Sequence, residues 1–115
     1  MGKITGTCHC GAVAISVPSL PEKLVSCNCS ICSRTGWLGA YYHPNDVTVD
    51  AKNDGMAGYV QGDRAITFWR CRHCGNATHW TALTAPEDRM GVNVRIFDRK
   101  LWQDVPLEQV DGASW

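Results

Sequence analysis

Residues 65–83 read AITFWRCRHCGNATHWTAL, two strand-like runs on either side of a Cys71-x-x-Cys74-Gly75 turn. Both runs are rich in aromatic and β-branched residues, which favour strands. Gly75 can adopt the positive φ that turns backbone amides towards cysteine sulfur, and the two thiols are close enough in sequence to bind one cation. The stretch therefore predicts a zinc knuckle between the strands Ala65–Arg70 and Asn76–Leu83.

Five more cysteines lie in two clusters, Cys8-x-Cys10 and Cys27-x-Cys29-x-x-Cys32. A structural zinc ion takes four protein ligands, whereas a catalytic zinc ion takes three and keeps one position for water or substrate. The triplet can form a tripod by itself, while each pair supplies half of a tetrahedron. We therefore predict two zinc ions per chain. The structural ion is held by Cys8, Cys10, Cys71 and Cys74, and the catalytic ion by Cys27, Cys29 and Cys32.

Two alternatives stay open for the seven thiols. One is a disulfide network, although neighbouring pairs form strained rings and the odd count leaves one thiol over. The other is a fourth protein ligand for the triplet, which would turn the open site into a second structural site. The candidates for that ligand are a carboxylate or one of the histidines, His9, His43, His73 and His79. His79 is as compatible with a buried core position as with a pocket.

Length and charge limit the classes of function. The chain has 115 residues, with 11 Lys plus Arg and 11 Asp plus Glu. This length predicts one domain over residues 1–115, and the balanced charge offers no attraction to nucleic acid or to an anionic membrane. No apolar run approaches the ~20 residues that span a bilayer, and clustered reduced cysteines fit the cytoplasm. We expect a cytoplasmic monomer or homodimer that binds neither nucleic acid nor membrane.

A nucleic-acid-binding zinc protein is a third interpretation, because several aromatic residues could stack on bases. These residues are Trp37, Tyr41, Tyr42, Trp69 and Trp80. Aromatic side chains on alternating strands more commonly fill a core, however. The balanced charge is a second argument against this interpretation.

Short alternating runs separated by turns predict an all-β fold. Turn clusters are expected at Asn53-Asp54-Gly55 and Gln61-Gly62-Asp63, and a helical turn through Leu101 and Trp102 with Asp98 as its N-cap. Besides the two strands of the knuckle, the expected strands are Ala12–Val17, Trp37–His43, Val47–Val49, a short one near Tyr59-Val60, and a half-buried Gly91–Phe97.

The triplet predicts sulfur chemistry. Three thiolates on a divalent cation leave a net negative charge and a soft metal, whose open position suits an incoming thiol. Held as a thiolate, that sulfur is a nucleophile for an aldehyde carbonyl. A hydrolase is a weaker interpretation, because hydrolytic zinc sites more often use histidine or carboxylate ligands. Possible donors to the sulfurs are Ser30, Ser33, Arg34 and Thr35. Arg34 is the candidate substrate-binding residue, because a guanidinium can pair with a substrate carboxylate.

Three motifs in this order resemble one known family. They are Gly6-x-Cys8-x-Cys10-Gly11-Ala12, Cys27-x-Cys29-Ser30-x-Cys32-x-Arg34-x-Gly36, and Phe68-x-x-Cys71-x-x-Cys74-Gly75 through Thr78-His79-Trp80. The chain resembles the glutathione-dependent formaldehyde-activating (GFA) family, which includes the centromere protein V domain. Asn93-Val94-Arg95 and Asp111-Gly112-x-x-Trp115 are similar to the ending of one bacterial branch of that family.

The resemblance implies a fold, two metal sites and an activity. The fold is a compact single domain of several small, twisted antiparallel β-sheets around zinc knuckles, with the same division into a structural and a catalytic zinc ion. The activity is carbon–sulfur lyase chemistry, which joins glutathione to formaldehyde as S-hydroxymethylglutathione. We therefore expect a zinc-dependent carbon–sulfur lyase with a small thiol such as glutathione as its partner. The alternative is a zinc-stabilised binding module without catalysis.

Overall fold

Ten short strands and two short helices make up the described part of the chain, which comprises residues 3–52, 54–60, 64–84 and 88–111 of a computed structural model. The strands are β1 Ile4–Thr7, β2 Val13–Val17, β3 Leu24–Cys27, β4 Gly39–Tyr42, β5 Thr48–Ala51, β6 Met56–Tyr59, β7 Ile66–Cys71, β8 Ala77–Ala82, β9 Met90–Asn93 and β10 Leu107–Val110. The helices are α1 Ser30–Thr35 and α2 Arg99–Trp102, and single 3₁₀ turns cover Pro44–Asp46 and Val94–Ile96.

The strands form two sheets, which confirms the all-β prediction. The smaller sheet has the order β1-β2-β5, and the larger has the order β10-β3-β4-β9-β8-β7-β6. Every pair of neighbouring strands is antiparallel except β10 and β3, which run parallel and in register from Leu107 opposite Leu24 to Val110 opposite Cys27. The sequence prediction of antiparallel sheets alone therefore misses one pair of strands.

The main core contains side chains from both sheets. Val13, Ile15 and Val17 point inward from β2 and are fully buried, as their alternation predicts. They share one apolar cluster with Leu24 of β3 and Val92 of β9. A smaller cluster of Cys32, Trp37 and Phe68 lies apart from this core. The sheets thus leave a second apolar region, in which one of the cysteines of the triplet is buried.

Several predicted strands occur, with shifted ends. β2, β7 and β8 lie within the predicted strands or extend one residue past them, and β4 occupies the middle of Trp37–His43. The strand near Tyr59-Val60 is β6, which ends at Tyr59, and β5 begins and ends later than Val47–Val49. The helical turn after Asp98 is confirmed as α2, where the Asp98 carboxylate accepts a hydrogen bond from the Lys100 amide at 3.0 Å.

The prediction of a half-buried strand over Gly91–Phe97 is wrong. The strand ends at Asn93, every residue of β9 is buried, and the chain continues as a 3₁₀ turn. The Asn93 side-chain oxygen causes the change, because it accepts a hydrogen bond from the Arg95 amide at 3.2 Å and so caps the turn. The same oxygen accepts from the Leu38 amide at 3.4 Å.

The sequence interpretation missed β1, β3, α1 and β10. Some predicted positions lie outside the described residues: Asn53 of the first turn cluster, the cluster Gln61-Gly62-Asp63, and residues 112–115 of the closing motif. At the one described non-glycine position of the first cluster, Asp54 has a φ of 54°, as a turn residue there requires. None of the helices in the described ranges has the length and hydropathy needed to cross a bilayer.

His79 is a core residue. Its side chain is 2% exposed, stacks on Trp69 with ring centres 6.2 Å apart, and hydrogen-bonds through Nδ1 with the Thr78 hydroxyl at 2.9 Å. Burial lowers the pKa of His79 from 6.5 to about 4. Of the two interpretations left open by the sequence, the core position is the one that the structure shows.

We expect the His79 imidazole to remain neutral in the folded protein until the pH approaches 4. Between pH 6.5 and about 4 the unfolded chain binds a proton at His79 that the folded chain does not, so this residue lowers stability as the pH falls through that window. An NMR titration of the ring resonances, assigned with a His79→Gln variant, measures the pKa. Protonation at or above pH 6.5 in the folded protein would contradict this burial.

We expect Gly6→Ala to destabilise the protein by about 1–3 kcal/mol, a typical cost of overpacking. A Cβ atom on Gly6 would lie 2.7 Å from the backbone oxygen of Ile96 and 2.8 Å from the Phe97 ring. Urea unfolding measures the change, with the exposed neighbour Thr7→Ala as the control. Equal unfolding midpoints for the two variants would show that β1 does not pack closely against this segment.

Candidate metal centres and the adjoining groove

The first candidate metal centre lies where the β1–β2 turn meets the β7–β8 turn. All pairs of Sγ atoms among Cys8, Cys10, Cys71 and Cys74 are within 4.8 Å. The Cys10 sulfur is 3.7 Å from that of Cys8 and 3.5 Å from that of Cys71. Tetrahedral zinc with bonds of ~2.3 Å would hold its sulfur ligands about 3.8 Å apart. An ion of this kind therefore fits the site.

The two turns share the main features of a knuckle, although their cysteine spacing differs by one residue. Gly11 and Gly75 both have positive φ, 84° and 80°, and their amides donate to the backbone oxygens of Cys8 and Cys71 at 3.1 and 3.0 Å. Backbone amides also face the sulfurs: Val13 donates to the Cys8 sulfur at 3.3 Å. The Cys74 amide donates to the Cys71 sulfur at 3.4 Å. The expectation for Gly75 is confirmed, and Gly11 has the same role in the first turn.

Hydrogen bonds shift the pKa values of these thiols in both directions. Backbone N–H groups, first that of Cys74, lower the pKa of the Cys71 thiol. Burial acts to raise the pKa of Cys74, but N–H groups of Asn76 and Cys10 outweigh it and lower that pKa to about 6. The Ala12 amide lowers the pKa of Cys10, yet the neighbouring sulfurs, first Cys71, raise it to about 11. Without a bound cation, the thiols of this cluster therefore differ in how readily each loses its proton.

The second candidate centre is formed by the end of β3 and the start of α1. Cys27 is the last residue of β3, Cys29 is the N-cap of α1, and Cys32 lies in its first turn. Their three Sγ atoms are within 4.8 Å of one another. The Cys29 amide donates to the Cys27 sulfur at 3.5 Å, and the Cys32 amide donates to the Cys29 sulfur at 3.4 Å. The triplet is therefore a local tripod, as its spacing predicts.

Within the described ranges, no histidine, carboxylate or fourth cysteine joins the triplet. His9 and His73 are exposed residues of the two knuckles. His43 caps the 3₁₀ turn Pro44–Asp46, where its Nδ1 accepts a hydrogen bond from the Asn45 amide at 3.1 Å, and His79 is in the core. A metal ion at the triplet would thus keep one position open to other ligands. All seven cysteines, each of them described, are free thiols.

The pKa values of the triplet show why a cation fits there. Burial acts to raise the pKa of Cys29, but hydrogen bonds from the Cys32 amide and from neighbouring thiols outweigh it and lower that pKa. The pKa of Cys32 is strongly raised, first by burial and then by Cys29. The three sulfurs therefore resist ionising together, and a divalent cation would remove that resistance by neutralising their charge.

Asn28 holds the triplet against β10. Its amide donates to the Val110 oxygen at 3.1 Å, and its side-chain nitrogen donates to an oxygen of the Asp111 carboxylate at 2.9 Å. Asn28, the residue between Cys27 and Cys29, thus bonds to a residue 83 positions later in the chain. Sequence reasoning did not assign Asn28 a role, although Asp111 opens the closing motif. The parallel pairing of β10 with β3 brings the two together.

A groove of about 600 Å³ opens beside the triplet. Its walls are mostly apolar, and Trp37 and Phe68 meet edge to face with ring centres 5.5 Å apart. The lining residues are Val25, Cys27, Cys29, Ile31, Cys32, Trp37, Tyr41, Ala65, Ile66, Phe68, Trp80, Arg89, Glu108 and Val110. The triplet is therefore accessible to a small molecule that binds in the groove.

The polar residues near the triplet differ from those that the sequence suggested. Ser33 donates to the Ser30 backbone oxygen at 3.3 Å, and Thr35 donates to that of Ile31 at 2.9 Å. The Arg34 guanidinium donates to the Ser30 oxygen at 2.9 Å and lines a separate depression with Ile31 and Tyr59. Their side chains hydrogen-bond to the backbone of α1 and are absent from the lining of the groove.

Sequence reasoning missed Arg89 and did not assign Tyr41 to the site. Tyr41 of β4 and Arg89 just before β9 both line the groove, and the Arg89 guanidinium carbon is 4.4 Å from the centre of the Tyr41 ring. Burial raises the pKa of Tyr41, with smaller opposing effects from the hydrogen bond that the Trp37 indole donates to its hydroxyl and from the Arg89 charge. No local signal in the sequence pairs these residues, because the β4–β9 register brings them together.

Two comparisons with known proteins agree with this architecture. A family model described as "Glutathione-dependent formaldehyde-activating enzyme" matches residues 3–109. The chain is also similar to the crystal structure of a Rhodobacter sphaeroides protein, with 37% sequence identity and a TM-score of 0.74. That similarity covers 91% of this chain and 100% of the other. Both findings agree with the resemblance carried by the three cysteine motifs, and the chain therefore belongs to the glutathione-dependent formaldehyde-activating family.

Proposed function

We propose that this protein is a zinc-dependent carbon–sulfur lyase that acts on a small thiol–aldehyde adduct, with S-hydroxymethylglutathione as the first candidate substrate. The observation that carries the proposal is the cysteine triplet, which has three sulfurs together and no fourth ligand among the described residues. It faces a groove large enough for a small thiol. The family description names glutathione and formaldehyde.

The two clusters are assigned different roles. Cys8, Cys10, Cys71 and Cys74 would hold a structural zinc ion, and Cys27, Cys29 and Cys32 would hold a catalytic one. Zinc at the triplet would supply a position for the sulfur of the substrate and keep that sulfur as a thiolate. The support for this division is the number of sulfurs in each cluster, four against three.

The proposed reaction makes or breaks one carbon–sulfur bond and transfers one proton. In the synthetic direction, the substrate sulfur forms a bond to the aldehyde carbon while the carbon–oxygen π bond breaks, and the oxygen takes up the proton that the thiol released on becoming a thiolate. In the lyase direction the adduct hydroxyl loses that proton, the carbon–sulfur bond breaks, and the electron pair stays on sulfur. Tyr41 lines the groove and its hydroxyl is protonated at neutral pH, as any tyrosine is, so it would be available to donate a hydrogen bond to the carbonyl oxygen. Trp37, Phe68 and Trp80 line the groove with apolar surface, from which a bound substrate would displace water.

Metal analysis tests the division. We expect two zinc ions per chain in the native protein, and one after either Cys10→Ser or Cys29→Ser. Cys10→Ser should also lower Tm by on the order of 10 °C, because the four-cysteine cluster joins two distant turns and its metal contributes folding free energy. Cys29→Ser should change Tm far less, because its cluster is local. Plasma mass spectrometry and calorimetry measure both, and one zinc ion or none in the native protein would contradict the division.

Activity tests the reaction. We expect the zinc-loaded protein to accelerate the exchange between glutathione, formaldehyde and S-hydroxymethylglutathione, as measured by NMR exchange spectroscopy. Cys29→Ser should return the exchange to its uncatalysed rate, because the tripod loses a ligand. Ser33→Ala is the matched control on the same helix, since its hydroxyl bonds to the helix backbone.

The outcomes separate the substrate from the class of reaction. Acceleration with another small thiol but not with glutathione would show that glutathione is not the substrate, and the proposed lyase reaction would stand. Wild-type protein that accelerates no thiol–aldehyde exchange would identify the chain as a zinc-stabilised binding module without catalysis.

A further inference from the structure

The groove contains an arginine whose guanidinium lies over an aromatic ring. The Arg89 guanidinium stacks over the Tyr41 ring, with the guanidinium carbon 4.4 Å from the ring centre. A ring attracts the guanidinium through its positive charge and is not a carboxylate partner, so N–H donors at the edge of the guanidinium stay available for a ligand. Because Tyr41 is half-buried in β4, it fixes where that edge lies.

The charge of Arg89 lacks a carboxylate partner among the described residues. Two charged side chains line the groove, Arg89 and Glu108. The Glu108 carboxylate is 3.8 Å from the Lys23 ammonium, whereas the ion pairs of the described residues do not include Arg89. Within the part of the chain that the structure describes, the groove therefore presents one positive charge that no carboxylate neutralises.

This positive charge lies in a groove whose reactive end is negative. Three thiolates on a divalent cation carry a net negative charge, and a bound substrate thiolate adds to it. A second anionic group on the substrate would be repelled by that charge unless a cation compensates for it. Arg89 supplies such a cation on the wall of the same groove. The geometry thus favours a thiol whose sulfur lies at the triplet and whose anionic group lies at Arg89.

We propose that Arg89 is the specificity-determining residue of this groove and that it selects thiols that carry a carboxylate, with Tyr41 as its positioning residue. This inference rests on the proposed function, because the sulfur end of the substrate requires a metal-loaded triplet. It differs from the sequence prediction, which gave the carboxylate-binding role to Arg34. Arg34 is bonded to its own helix and is not among the lining residues of the groove.

Thiol binding to the zinc-loaded protein, measured by isothermal titration calorimetry, tests the inference without requiring turnover. The probes are mercaptopropionate, which carries a carboxylate, and mercaptopropanol, its neutral alcohol. Wild-type protein should bind the carboxylate thiol about tenfold more tightly, as expected for one charge-assisted pair. Arg89→Gln should abolish that preference and leave the affinity for the alcohol within about twofold. Arg89→Lys should retain only part of the preference, because lysine keeps the charge but does not stack as a plane.

Two further variants separate a specific role from a general loss of charge. Arg95→Gln is the matched control, because Arg95 also lies over an aromatic ring, 5.6 Å from the centre of Trp102, but is absent from the groove lining. It should keep the wild-type preference. Tyr41→Phe keeps the aromatic ring and should therefore keep the preference for the carboxylate thiol. Tyr41→Leu removes the ring and should weaken that preference.

Each outcome decides between the two proposals. Tight binding of both thiols with no carboxylate preference, or a preference that survives Arg89→Gln, would overturn the role of Arg89 and leave the lyase proposal standing. Loss of the preference in Arg34→Gln but not in Arg89→Gln would return the role to the residue that the sequence suggested. Absence of binding by both thiols would overturn the role of Arg89, whereas the lyase proposal falls only if the exchange assay shows no acceleration with any thiol.

Discussion

The convergence of four sulfurs from two distant turns is the constraint on which the rest of the structure depends. Cys8 and Cys10 follow β1 of the small sheet, and Cys71 and Cys74 lie between β7 and β8 of the large one, so the cluster joins the two sheets. The His9 amide adds a hydrogen bond to the Asn76 side chain at 3.2 Å. A metal ion bound by these four sulfurs would stabilise so small a core, because metal binding contributes folding free energy directly.

The triplet does not share its sulfurs with the four-cysteine cluster and depends on that cluster only through the fold. The two clusters can therefore differ in their chemistry. Its three sulfurs come from one strand end and one helix start, and β10 supports it through Asn28. The large sheet then supplies the surroundings: Trp37 and Phe68 form an apolar wall, and β4 and β9 bring Tyr41 and Arg89 to the same groove. Under the proposed function, the local tripod would provide the reactive position, while long-range strand pairing provides the groove beside it.

Sequence reasoning succeeded where geometry is local. Thiols one or two positions apart converge because a short turn brings them together, and the alternation of Val13, Ile15 and Val17 shows directly which face of β2 is buried. It failed where an element or a site depends on contacts between residues that are far apart in the sequence. β10 has exposed residues such as Leu107 and forms by parallel pairing with β3, and α1 has only six residues, too few for an apolar stripe. Arg89 acquires its place from strand register, which no short motif records.

The central claim is that one cluster binds its metal with four sulfurs while the other leaves a position open. Zinc K-edge X-ray absorption of the fully loaded protein tests it most directly. The account predicts seven sulfur ligands and one lighter ligand shared between two zinc ions, with the lighter ligand replaced by sulfur when a thiol is added. Two zinc ions with complete sets of protein ligands, and a spectrum unchanged by thiol, would contradict it.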